Sequence, residues 1–171
     1  MATPTQPLRD EHKELLPHIA GLRAAADSVG EAPIEAVLRN VAESHEFLVD
    51  HLLPHAQAEE RALYPVIARL MGAPEATATM SRDHVEVRRL TEELGALRSS
   101  LSGAALDPAQ AKALRAVLYG LSALVKVHFA KEEEGYLPIL DQRLTESEAG
   151  QMFEAMEAAA SEARLPRSAP I

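Results

Sequence analysis

Two stretches of eleven residues, HAQAEERALYP at 55–65 and HFAKEEEGYLP at 128–138, align without a gap. His55 falls on His128, Glu59 on Glu132, Glu60 on Glu133 and Pro65 on Pro138. An internal repeat constrains a fold more than composition does, because it means that one structural unit is used twice. The unit extends upstream. EHKEL at 11–15 and DHVEV at 83–87 each bring one further histidine; His12 precedes His55 by 43 residues and His84 precedes His128 by 44. The chain therefore reads as two helical pairs, each supplying one His and then one His-xxx-Glu.

Apolar residues make up 47% of the 171, aromatics only 4%, and the helix formers Ala, Leu, Glu and Arg dominate. Apolar positions recur in steps of three and four, the pattern of helices facing a common core. The stripes predict helices over about 5–28, 33–71 and 74–102, a fourth opening at Pro108 under an Asp107 cap, and a fifth over about 145–163 under a Thr145/Glu148 capping box. The expected fold is all-α: an antiparallel up-down four-helix bundle of two pseudo-repeated helix pairs, plus a short C-terminal helix. One domain should span 1–164, with its core at about 8–140, followed by a frayed tail at 165–171. Breaks are expected at Gly30–Pro33, Gly72–Pro74 and Gly103–Pro108. Pro17, Pro54, Pro65 and Pro138 fall inside helical stripes and should each kink or locally break their helix.

His55, Glu59, His128 and Glu132 occupy core-stripe positions where apolar residues belong. A buried imidazole or carboxylate without a partner is costly. His and Glu four apart share one helix face, about 6 Å apart along the axis, so both reach one point in the bundle. Four imidazoles and two carboxylates brought together by a pseudo-two-fold axis fit a dinuclear metal centre. His12 and His55 would hold one metal and His84 and His128 the other, with Glu59 and Glu132 bridging.

These motifs, DEHKEL, HAQAEERALYP, RDHVEV and HFAKEEEGYLP in that order, resemble the hemerythrin-like (HHE cation-binding) family over about residues 8–140. The resemblance implies a four-helix bundle with a non-haem di-iron centre that handles O2, peroxide or nitric oxide, or senses iron. The cofactors it implies are two iron ions joined by an oxygen bridge, with zinc or manganese as alternatives. The O2-carrying members have His-xxx-His on the third helix and His-xxxx-Asp on the fourth. Here Arg88 follows His84 by four residues, Leu16 follows His12 by four, and the acid after His128 is Glu132 at four or Glu133 at five. One nitrogen ligand is missing, which favours peroxide or redox chemistry, or iron sensing, over O2 storage. If the chain is an enzyme, it is a peroxide-consuming oxidoreductase.

Other readings compete. A ferritin-like iron oxidase uses Glu-x-x-His pairs, and no histidine here has a Glu three residues before it. A structural zinc bundle would leave too many coordination positions open. His45 reads as a core histidine, His51 as a marginal candidate and His18 as a surface residue. Glu60, Glu133 and Glu134 read as a solvated face, the repeat-matched first two alternatively as residues that support the ligands from behind or as bridges. Tyr64 and Tyr136 read as packing residues; Tyr136 shares a helical face with Glu132, which leaves a phenol near the metal as its alternative reading.

Net charge of −9 argues against nucleic acid or an anionic membrane surface as partner. No unbroken apolar run approaches 18 residues, so no membrane span is expected. The absence of cysteine rules out thiolate ligands and disulfides. The charged, Pro-rich start without an apolar segment predicts no secretory leader, so the expected setting is the cytoplasm, with the Arg and Ala usage of a GC-rich bacterium. The expected state is a monomer or weak homodimer.

Overall fold

The structure is a computed structural model that describes residues 3–101 and 105–164; the expected tail at 165–171 and the middle of the third link lie outside them. Helix α1 is Gln6–Ser28. Helix α2 covers 34–71 as three α-helical pieces, Ile34–Phe47, Leu53–Ala58 and Tyr64–Met71, joined by π-helical turns at Leu48–Leu52 and Glu59–Leu63. Helix α3 is Ala78–Ser100. Helix α4 is Pro108–Arg143, with a π-helical turn at Glu132–Tyr136. Helix α5 is Glu146–Arg164. No strand occurs among the described residues.

Local chemistry sets the boundaries. Asp107 and Gln110 form a reciprocal capping box at the start of α4, and Thr145 with Glu148 does the same for α5. Gly72 ends α2 with a left-handed φ of 67° that a side chain would oppose. The expected start of α3 at 74 is four residues too early. Residues 74–77 are turns, closed by Ala76 N to Ala73 O and Ala78 N to Glu75 O, so the helix begins only at Ala78.

The prolines act through the π turns. Leu53, Tyr64 and Leu137 each donate to the carbonyl five residues back. Pro54, Pro65 and Pro138 each follow the end of such a turn by two residues. The wider turn gives space to a ring that would otherwise press on the carbonyl four residues back. These helices bulge where breaks or kinks were expected. Pro17 needs no bulge: it lies on the exposed side of α1, which continues through it as α-helix.

Helix α1 packs along α2 and α4, α3 packs along the same two, and α5 lies across the middle of α2. Two apolar clusters result. One holds Leu22, Val41, Leu48, Leu94, Leu114, Leu118 and Phe129. The other holds Leu8, Leu63, Ile67, Met80, Leu137, Leu140 and, from α5, Met152 and Met156. The buried polar residues His12, His55, Glu59, His84, His128 and Glu132 form a layer flanked by both clusters. One 18-residue window of α4 reaches a mean hydropathy of 1.3, so by length and composition alone the helix is long and apolar enough to cross a membrane, a test that the core helix of a bundle also meets. It is also the helix that α1 and α3 share, and it carries His128 and Glu132.

Candidate metal centre

The six residues singled out by the repeat come together. Glu59 and Glu132 have no exposed surface at all, and the four histidines are nearly as buried. Among the described residues two groups bring ligand atoms within 4.8 Å of one another: His12, His55, Glu59 and Glu132 form a first subsite, and Glu59, His84 and His128 a second. Glu59 spans both. Its Oε1 lies 3.0 Å from His55 Nε2 and 3.9 Å from His12 Nε2; its Oε2 lies 3.2 Å from His84 Nε2 and 3.9 Å from His128 Nε2. Glu132 Oε2 lies 3.5 Å from His12 Nε2 and its Oε1 3.5 Å from His128 Nε2.

Each imidazole turns Nε2 inward because a carboxylate from another helix meets its Nδ1. Glu133 accepts from His12 at 2.8 Å and Glu60 from His84 at 2.8 Å. Asp83 accepts from His128 at 3.0 Å, and Glu11 lies 3.1 Å from His55 Nδ1. Such partners fix the tautomer and ring angle of a ligating histidine. Glu133 is in turn held by Arg9, and Asp83 by Lys131. The solvated-face reading of Glu60 and Glu133 is thus corrected: their outer surface meets water while one oxygen holds a buried ring. Glu11 and Asp83 escaped the sequence reading altogether. The available signal was the acid placed directly before His12 and His84 in both halves of the repeat.

The inward atoms lack partners. His12 Nε2, His55 Nε2, both oxygens of Glu59 and Glu132 Oε2 are buried without a hydrogen bond. His84 Nε2 and His128 Nε2 face each other at 3.0 Å. With the Nδ1 protons of His12, His84 and His128 committed to carboxylates, the inward atoms present lone pairs to one another, which is stable only if a proton or a cation lies between them. The charge balance agrees. Burial opposes ionisation of His55, but Glu59 and Glu11 outweigh it and raise its pKa well above the ordinary imidazole value. His128 is likewise raised to about 10, with Glu132 and Glu59 overcoming burial. Burial works against the Glu59 carboxylate, yet the surrounding imidazoles, His55 first, hold its pKa well below the usual range. For Glu132, burial and the charge of Glu59 win and push it up. Without a metal, His55 and His128 hold their protons more tightly than free imidazoles do. A donor set of imidazole nitrogens and carboxylate oxygens, 3.0–3.9 Å apart, matches the neighbour spacing around a cation with bonds of about 2.0–2.2 Å.

The other candidates fall elsewhere. His45 is half-buried against α3, where a Cβ on Gly95 would come within 2.7 Å of its Nε2. His51 and His18 are exposed. Tyr136 turns away and donates to Ala76 O at 2.8 Å. Tyr64 enters instead. Its hydroxyl donates to Glu132 Oε1 at 2.9 Å and lies 3.4 Å from both His84 Nε2 and His128 Nε2. The cause is the π turn. Residue 64 lies five after Glu59, about 140° around an ideal α-helix. Through Glu59–Leu63 the ladder runs five residues per bond, and residue 64 returns over residue 59. A cavity of about 10 Å³, lined by Leu52, Ala56, Val87, Val125 and Phe129, adjoins His55, Glu59, His84 and His128; that is about the room one water needs.

A helical bundle with a buried layer of imidazoles and carboxylates, free of cysteine, defines a cation-binding helical protein. The family model described as Hemerythrin HHE cation binding domain matches residues 3–140. The chain belongs to that family. No curated protein and no solved structure matches it.

Proposed function

We propose that the chain is an antiparallel up-and-down four-helix bundle holding two iron ions, and that it reacts with peroxide or O2, consuming peroxide in a catalase- or peroxidase-like reaction. The observation that carries this reading is the ring of inward, unpartnered Nε2 and carboxylate oxygens divided by Glu59 into two subsites. His12 and His55 would hold one iron, His84 and His128 the other, with Glu59 and Glu132 reaching both. Bound iron would supply open coordination positions and cycle between oxidation states, with one peroxide oxidised to O2 as another is reduced to water.

The chain's own residues do the rest. Glu133, Glu11, Glu60 and Asp83 hold the imidazoles in the ligating tautomer. Val87, Val125 and Phe129 line a cavity that admits a molecule the size of water or a diatomic gas and exclude bulk solvent. A second reading, an iron, O2 or nitric oxide sensor without turnover, is supported by the same unpartnered atoms. A centre that needs a cation to satisfy it ties fold stability to metal supply.

The test is metal content of the purified protein, with absorbance and gas evolution recorded before and after adding peroxide. About two irons per chain with sustained O2 release supports the enzyme. Two irons without turnover supports the sensor. One zinc, or none with an undiminished fold, overturns both.

A further inference from the structure

The two subsites are unequal. Four residues converge on the first and three on the second; Glu132 groups with the first, while its Oε1, which accepts from Tyr64, lies 3.5 Å from His128 Nε2. Among the described residues no histidine or acid other than these six joins either group. A donor of another kind does stand at the second. Tyr64 is 3% exposed, and its ring lies parallel to His84, 6° between planes and 5.5 Å between centroids. Its hydroxyl oxygen is 3.4 Å from both imidazole nitrogens of this subsite and 2.9 Å from Glu132.

We propose that the Tyr64 phenol oxygen is the fourth donor of the second subsite, so that one metal is held by nitrogen and carboxylate alone and the other also by a phenolate. The proposal rests on the two-metal reading above.

Hydrogen bonding alone does not account for the position. A phenol has one proton, and it is directed at Glu132. The contacts to His84 and His128, at 3.4 Å, are longer than ordinary O–H hydrogen bonds and fall on nitrogens that carry lone pairs. An oxygen set at equal distance from two such nitrogens lies where a ligand of a shared cation would lie. For bonds near 2.0 Å, tetrahedral neighbours are about 3.3 Å apart. On coordination the O–H bond is replaced by an oxygen–metal bond, and the proton leaves to solvent, as protons do when other acidic ligands bind metal. The equivalent residue in the second repeat is Leu137. It has no donor atom, so the first subsite has no counterpart and the asymmetry is built into the sequence.

The test loads the full chain with ferric iron alone. A phenolate ligand gives a phenolate-to-iron charge-transfer band in the visible, with tyrosinate ring modes under resonance Raman excitation in that band. Wild type is expected to show both. Tyr64→Phe should lose both, keep the metal of the first subsite, and bind the second at least tenfold more weakly; Tyr136→Phe should keep the band. Two irons bound in wild type without the band, or a band that survives in Tyr64→Phe, overturns the proposal while leaving the two-metal reading standing. A chain that takes up no iron overturns both. If Tyr64→Phe does not fold, ring-deuterated tyrosine in wild type decides, since only a ligating tyrosine shifts the resonance-enhanced modes.

Discussion

The two subsites are made from the same repeat but are roofed differently. Over the first, Phe129 stacks on His12 with centroids 4.2 Å apart and lies 5.6 Å from His55. Its repeat equivalent beside the second subsite is Ala56, and there the aromatic neighbour is Tyr64, whose own equivalent is Leu137. A symmetric set of histidines has therefore received an apolar cover on one side and a phenol on the other. The repeated motif fixes which atoms converge. The unrepeated aromatics decide what each half of the centre is exposed to.

The largest expected difference lies between the two central carboxylates. Glu59→Ala should empty both subsites, because its two oxygens face all four histidines. Glu132→Ala should weaken both subsites less, because it faces only His12 and His128, each at 3.5 Å. Metal analysis per chain reads this, and equal losses would mean that both carboxylates bridge alike. Next comes the roof. Phe129→Ala makes the halves alike at that position and should destabilise the metal-free protein by about 3–5 kcal/mol in a denaturant titration. A cost below about 1 kcal/mol would show that the ring is not a packing element.

Smaller effects follow from the carboxylates behind the rings. Glu133→Gln should weaken the first subsite and Glu60→Gln the second, each by about 10–100-fold in a chelator competition. Loss from the wrong subsite would reverse the pairing of Glu133 with His12 and Glu60 with His84. The pH response is gentler. His128 is raised in the folded, metal-free chain, so its contribution to stability is complete below the unfolded value of about 6.5. That contribution is lost as pH rises through its folded value of about 10. Metal affinity should move the opposite way over the same window, because binding displaces that proton. Melts of the metal-free and metal-loaded forms across this range check the sign. His18→Ala, whose exposed ring stacks on Phe47 at 4.9 Å and lies outside the centre, should leave metal content unchanged.

The sequence carried the helical class and the six converging residues because both depend on periodicity that a repeat displays twice. It misplaced what depends on a change of period. Tyr136 shares a face with Glu132 only on an α-helix, and the π turn at Glu132–Tyr136 removes it. The turn at Glu59–Leu63 brings in Tyr64 by the same shift. The proline two residues beyond each turn was visible, but nothing in the sequence said that the helix would widen and not break. The carboxylates behind the rings were hidden for another reason. Glu60 and Glu133 are partly exposed, and a surface acid looks the same in sequence whether it is solvated or holds a buried ring.

The carboxylate pairings also bear on how the two halves depend on each other. Glu11 and Asp83 hold the histidine of their own half, but Glu133 reaches back to His12 and Glu60 reaches forward to His84. One helical pair by itself therefore has a histidine with no acid to orient it and an acid with no histidine to hold. Two identical pairs related by a two-fold axis would supply every one of these contacts. The cross-over contacts thus tie the two halves into one unit, so that neither half-site is complete without the other, while the halves differ at Tyr64 and Phe129.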